Sequence, residues 1–308
     1  YTTGYQFEDL LGSKQTYVDG SLTFQVGSEP AEQPAVATSA AGDSFRCTLT
    51  TPLKEEGTIV YQTVPLAEMF VDGDQLADMS AGATLPNTAR LFAPDGTTLL
   101  SEKEAAVKVK GKSWLVKEGI ETDLLDQTVT WQITVHTNGC GFAEIALYDQ
   151  LGEKMAYDPA VADLKVNGAA PPAEVTLNPA FSGAGGEADK LLLTIDHPAL
   201  SQYVITYKTK LGADLTAQNQ ALTLSNSAWL TCKWDVDGSG QLRELGVPTL
   251  TKPYKLNTSV VEKSGAYDPA TRRITWKVTL NKNRLDIQNA VITDTFDNTN
   301  QRFVGNVA

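Results

Sequence analysis

The sequence predicts an all-β chain of tandem β-sandwich modules, and two observations carry that expectation. Short runs of β-branched and aromatic residues alternate inward and outward character with a period of two, as in Thr128-Val-Thr-Trp-Gln-Ile-Thr-Val135 and Tyr203-Val-Ile-Thr-Tyr-Lys-Thr209. Clusters of Gly, Pro, Asn and Asp separate these runs, the pattern of strands joined by turns. The chain also matches itself at a nearly fixed interval, which marks repeated modules.

The matches fall in order along the chain. Phe7-Glu-Asp-Leu-Leu-Gly12 corresponds to Leu147-Tyr-Asp-Gln-Leu-Gly152, which sets Asp9 against Asp149. Ile59-Val-Tyr-Gln-Thr63 corresponds to Ile205-Thr-Tyr-Lys-Thr209, and Asn87-Thr-Ala89 to Asn226-Ser-Ala228. Farther on, Ser113 to Lys117 and Val129 to Val135 correspond to Ser259 to Lys263 and Ile274 to Leu280, and Leu147-Tyr-Asp149 to Ile292-Thr-Asp294. The expected division is residues 1–107 as the later part of one repeat, 108–250 as a complete repeat and 251–308 as the beginning of a third. The Ala/Pro/Gly stretches Glu29 to Ala41 and Gly168 to Gly186 occupy matching places and read as long loops inside modules. Leu66 to Met79, just after Pro65, has the spacing of one short connecting helix. With almost no linker between repeats, a rod-like stalk is expected. A window of a longer array is favoured over head-to-tail completion of the broken repeats, because both terminal parts carry an Asp-bearing strand.

Composition narrows the function. The 308 residues, 42% of them hydrophobic, suffice for about two cored domains. A net charge of -12 argues against nucleic acid and anionic membranes, both of which reward clustered Lys and Arg. No run approaches the roughly 20 apolar residues that cross a bilayer. Signal or anchor segments would lie elsewhere. Cys47, Cys140 and Cys232 suit no metal pattern, and free buried thiols are expected over a Cys140–Cys232 disulfide. His136 and His197 lack neighbours with metal-ligand spacing and read as structural. No cofactor or metal is expected. Asp235-Val-Asp-Gly-Ser-Gly240 opens like a calcium loop, but the twelfth position is Gly246 where Glu is wanted. Trp131 and Trp276 read as core anchors.

Three polar residues recur in apolar strand contexts: Lys117, Asp149 and Asn226, with partial counterparts Asp9 and Asn87 in the first repeat and Lys263 and Asp294 in the third. Singly, each reads as a surface charge, a turn residue or a cap. The ordered set, Lys117-Glu-Gly119 and Lys263-Ser-Gly265, the two Trp-centred strands, Leu147-Tyr-Asp-Gln-Leu151 and Ile292-Thr-Asp-Thr-Phe296, and Asn226-Ser-Ala228 and Asn87-Thr-Ala89, resembles the collagen-adhesin type of immunoglobulin-like domain in Gram-positive surface proteins. The resemblance implies tandem immunoglobulin-like β-sandwiches and an intramolecular isopeptide bond, with Lys117 as amine, Asn226 as carboxamide and Asp149 as the assisting acid. Asp9 and Asn87, and Lys263 and Asp294, would take the same roles in the flanking repeats. It implies an extracellular, cell-wall-attached, non-enzymatic stalk or adhesin whose partners are neighbouring modules or a host matrix protein such as collagen. An accessory region of an extracellular enzyme is the remaining alternative, and no nucleophile elbow, paired carboxylates or metal cluster supports it.

Overall fold

Period-two alternation becomes a sandwich when each strand turns its apolar face toward a second sheet. The computed structural model describes residues 3–212, 221–257, 261–281, 289–295 and 299–304, and these are almost entirely strands and turns. The fold is all-β, built of β-sheets packed as sandwiches.

In chain order the longer strands are β1 (Tyr5–Leu10), β2 (Ser44–Leu49), β3 (Gly57–Val60), β4 (Thr63–Pro65), β5 (Ala83–Phe92) and β6 (Leu99–Val109). There follow β7 (Leu115–Asp123), β8 (Thr128–His136), β9 (Glu144–Leu151), β10 (Leu191–Asp196), β11 (Gln202–Leu211), β12 (Ala221–Trp234), β13 (Arg243–Asn257), β14 (Val261–Asp268) and β15 (Arg273–Leu280). The first unit has a sheet ordered β6, β5, β1, β2 and Val36–Thr38. Below it β3 pairs with Thr23–Val26 and β4 with Gln15–Tyr17. Its core gathers Leu11, Tyr17, Leu22, Phe24, Phe45, Cys47 and Leu49.

The central unit has two full layers. One sheet runs Val175–Leu177, β10, β9, β12, β13, then Gln75–Leu76 and Val71–Asp72; the other runs β7, β8, β11 and Met155–Ala156. Alternation dictates what lies between them: Val129, Trp131, Ile133 and Val135 from β8, Ile145, Leu147 and Leu151 from β9, Tyr203 and Ile205 from β11, Leu224, Ala228 and Leu230 from β12. The β7–β8 hairpin closes through an Asx turn in which the Asp123 carboxylate accepts the Leu125 and Asp126 amides. Trp131 is fully buried, its Nε1 donating to Thr209 Oγ1 at 3.1 Å. The strands β14 and β15 form a separate two-stranded sheet.

Several local expectations differ. Between Leu66 and Met79 a single 3-10 turn, Ala67–Phe70, is followed by the two short strands of the large sheet. Met69, Leu76 and Met79 pack into the central core, and Trp114 Nε1 donates to Ala77 O at 2.6 Å, so docking against the next unit overrides helical spacing. Both Ala/Pro/Gly loops contain a short edge strand, Val36–Thr38 and Val175–Leu177, at matching places. Strands β6 and β13 continue past residues 107 and 250, to Val109 and Asn257. Lys117 is the third residue of β7, which continues through an irregularity at Gly119 to Asp123. Trp276 is 49% exposed, and among the described residues no second sheet covers its hairpin.

The cysteines are buried free thiols, with burial pushing Cys140 and Cys232 up to about 12 and Cys47 up to about 11. His136 Nδ1 lies 2.8 Å from Ser113 O, and His197 pairs with Asp196 at the surface. Asp235 and Asp237 accept backbone amides of Gly240 and Ser239, an ordinary turn.

The glycine of Lys117-Glu-Gly119 has a packing role. A Cβ there would stand 2.3 Å from the Tyr254 ring, which itself meets Trp131 edge-on at 5.8 Å. Gly119→Val is expected to destabilise the central unit by about 1 to 3 kcal/mol through overpacking, read from the urea midpoint by tryptophan fluorescence. An unchanged midpoint would contradict this account of the glycine.

Candidate functional site

The same alternation that fills the core aims four polar side chains into it. Lys117 shares the inward face of β7 with Leu115, Asp149 that of β9 with Leu147 and Leu151, Tyr207 that of β11 with Ile205, and Asn226 that of β12 with Leu224 and Ala228. Asp149 pairs across the sheet with Ala228, so Asn226 is its diagonal neighbour on the same face. Lys117 approaches from the opposite sheet. All three sequence-predicted residues therefore meet between the layers, and each is 0% exposed.

Lys117 Nζ donates to Asp149 Oδ2 and, at 3.2 Å, to the Tyr207 hydroxyl. The same hydroxyl accepts from Asn226 Nδ2 at 3.1 Å. Nζ also stands over the Trp131 ring, 5.4 Å from its centroid. Tyr207 thus contacts both Lys117 and Asn226. Sequence reasoning missed it, although Tyr61 and Tyr207 occupy the same position in the matched segments Ile59 to Thr63 and Ile205 to Thr209.

Burial sets the protonation. It holds the Lys117 amine below its usual range, against the opposing pull of Asp149, and raises the Asp149 carboxyl, against Lys117, Tyr207 and Asn226. Burial also drives Tyr207 well above the usual phenol range, so it stays a neutral hydroxyl. Asp149 Oδ1 and Asn226 Oδ1 are both buried without a hydrogen-bond partner among the described residues. Two orphan acceptors are costly, and a proton on Asp149 Oδ1 converts one into a donor. Both shifts point away from the charged forms of the pair.

The first unit contains the same arrangement of Asp, Tyr and Asn. Tyr61 donates to Asp9 Oδ2 at 2.5 Å, and Asn87 Nδ2 donates to the Tyr61 hydroxyl at 2.9 Å. Asp9 lies opposite Ala89 in β5, again diagonal to the Asn. Asp9 is 1% exposed, and its Oδ1 has no partner among the described residues. At the other end of the chain Lys263 Nζ pairs with Asp294 Oδ1 at 2.6 Å, in a partly exposed setting. No Asn completes that pair among the described residues. No group of three or more His, Cys, Asp or Glu suited to a metal occurs among the described residues, and no helix there is long and apolar enough to cross a membrane.

Comparison with known proteins places these observations beside surface adhesins. Residues 258–306 match the model of the collagen binding domain family. Among solved structures, the collagen-binding domain of a Staphylococcus aureus adhesin aligns at 14% identity and a TM-score of 0.29, covering 46% of this chain and 98% of that one. The collagen-binding MSCRAMM of Enterococcus faecalis aligns at 11% identity and 0.30, covering 80% of this chain and 82% of that one. The major pilin SpaD of Corynebacterium diphtheriae aligns at 11% and 0.28, covering 85% and 60%. No curated protein matches.

A pH dependence follows for the first unit. Burial raises the Asp9 carboxyl above its unfolded value of 3.8, so the folded state keeps a proton that the unfolded chain has released. Its contribution to stability is full below 3.8 and is lost as pH rises through the folded value. Asp9→Asn is expected to raise the first unit's melting temperature at pH 8 but not near pH 4, by calorimetry. An equal shift at both pH values would contradict the raised carboxyl.

Proposed function

We propose that this chain is an adhesive, load-bearing segment of an extracellular bacterial surface protein, its central unit locked by an autocatalytic isopeptide bond between Lys117 and Asn226. The observation that carries this reading is the fully buried set of Lys117, Asp149, Asn226 and Tyr207. A buried lysine facing a buried carboxyl is a poor stability device, because desolvation offsets most of the pair's attraction. It is a good arrangement for a reaction that removes the amine's charge for good.

The chemistry balances within the site. Neutral Lys117 Nζ attacks Asn226 Cγ while protonated Asp149 donates to Asn226 Oδ1, stabilising the developing oxyanion. Asp149 then relays a proton from the attacking nitrogen to the departing amide nitrogen. One C–N bond forms, one breaks, and ammonia leaves. Tyr207 positions Nζ and Nδ2, and the two rigid sheets replace a bimolecular encounter with a fixed geometry. The step occurs once per molecule, so the protein is not an enzyme.

The bond would tie β7 to β12 across a loop of 109 residues. By analogy with a disulfide, this contributes about 4 to 5 kcal/mol through the unfolded state. Its larger effect is mechanical: force entering at β7 bypasses everything up to Asn226. The purified chain is expected to weigh about 17 Da less than its sequence mass, and Asp149→Ala to restore the full mass, by intact mass spectrometry. A wild-type chain of full mass would sink the cross-link.

A second reading, binding of a host matrix protein, is favoured by the match of residues 258–306 to the collagen binding domain model. The full chain should then be retained on immobilised collagen at physiological salt. Free passage through the column would count against matrix binding and leave a spacer role.

A further inference from the structure

Lys117 is carried on a strand that its own sheet holds on one side only. Among the described residues β7 is an edge strand paired with β8, and its pairing is irregular between Gly119 and Glu121, just beyond the lysine. An edge strand with a broken ladder can twist unless something packs across it. A reaction between two buried side chains demands the opposite, because misplacement by about 1 Å can cost about a hundredfold in rate.

Tyr254 supplies the packing. It lies on β13 opposite Leu224 of β12, which makes it the diagonal neighbour of Asn226, and it packs against the central core. Its ring covers the Gly119 backbone so closely that a Cβ there would stand 2.3 Å away. Its hydroxyl accepts from Thr122 Oγ1 at 2.9 Å, so the ring and the hydroxyl hold β7 on both sides of the irregularity. The same ring meets Trp131 of β8 edge-on at 5.8 Å, and Trp131 lies under Lys117 Nζ, 5.4 Å from ring centroid to nitrogen. One side chain therefore ties β13 to both strands of the hairpin that presents the amine.

Lys117, Trp131, Asp149, Tyr207 and Asn226 all precede β13 in the chain. The reacting groups are thus made before the residue that braces them.

We propose that Tyr254 is a positioning residue for the Lys117–Asn226 cross-link, and that docking of β13, the last strand of the central unit, licenses the reaction. Before docking, β7 is unbraced and water reaches Lys117 Nζ past Trp131, so the amine keeps its charge. After docking the amine is dry and held at Asp149 and Tyr207. Those two are the titratable groups packed round Nζ; β8 and β12 present Trp131 and Asn226, and β13 presents Tyr254 beyond Trp131. Glu118 and Glu121 on β7 and Lys252 and Lys255 on β13 are exposed. Bond formation is thereby confined to a completely folded unit. This inference rests on the cross-link proposed above.

The test follows the reaction in the newly made full chain. A short cell-free pulse is diluted into buffers between about pH 6 and pH 9, samples are quenched in denaturing acid, and intact mass gives the fraction lighter by about 17 Da. Tyr254→Leu keeps an apolar side chain, so the unit folds, but it has no ring to reach Trp131 and Gly119. It is expected to react about tenfold more slowly at pH 7, with a rate that climbs further into the alkaline range than that of the wild type. Tyr254→Phe should restore most of the rate. Leu256→Ala removes a buried side chain from the same strand without touching the brace, and should lower the rate equally at every pH or leave it unchanged. Tyr254→Leu at the wild-type rate, a uniformly lowered profile like that of Leu256→Ala, or Tyr254→Phe as slow as Tyr254→Leu would each overturn the positioning role and leave the cross-link standing. A wild-type chain that never loses ammonia overturns the cross-link itself and this inference with it.

Discussion

Everything distinctive about the central unit depends on placing a lysine amine and an aspartate carboxyl in a space with no water. In that space charge is expensive, and Lys117 and Asp149 are both pushed toward their neutral forms. A neutral amine is a nucleophile and a neutral carboxyl is an acid, so desolvation, normally a penalty on buried polar groups, would prepare the reactants of the proposed bond. Tyr207, kept neutral by the same burial, supplies a fixed hydroxyl between the amine and the amide.

The rest of the architecture serves that placement. Two sheets from opposite sides must meet at a fixed separation, which Trp131, Ile133, Leu147, Tyr203 and Ile205 enforce by filling the core around the four polar side chains. Tyr254 closes the lower end against Trp131 and Gly119, which is why the residue two beyond the lysine has no side chain. The segment between the first and central units is also structural. Its Met69, Leu76 and Met79 enter the central core, and Arg243 Nη2 donates to Gly73 O at 2.8 Å, so the connection is anchored to the unit that follows it.

Much of this was legible in the sequence, for a definite reason. Period-two alternation shows which residues face inward, and self-comparison shows that Asp9 and Asp149, Asn87 and Asn226, and Lys117 and Lys263 stand in equivalent places among apolar neighbours. A charged residue repeated at an inward position is informative where a single one is not. Tyr207 escaped because tyrosine is ordinary in a strand core, and only its hydroxyl contacts distinguish it. The Leu66–Met79 segment misled because spacing records which residues are buried, not the backbone that buries them; its apolar residues dock as one 3-10 turn and two short strands. Trp276 has the sequence context of Trp131 but is 49% exposed among the described residues, and a local pattern does not record what covers a strand.

The account stands on a covalent link between the third residue of β7 and Asn226 of β12. Proteolysis of the denatured chain followed by tandem mass spectrometry addresses that link directly. The account predicts one branched peptide in which the Lys117 side chain is joined to the Asn226 side chain, with the linear peptides of both residues missing. Linear peptides carrying an unmodified Lys117 and an unmodified Asn226, with no branched species, would contradict it.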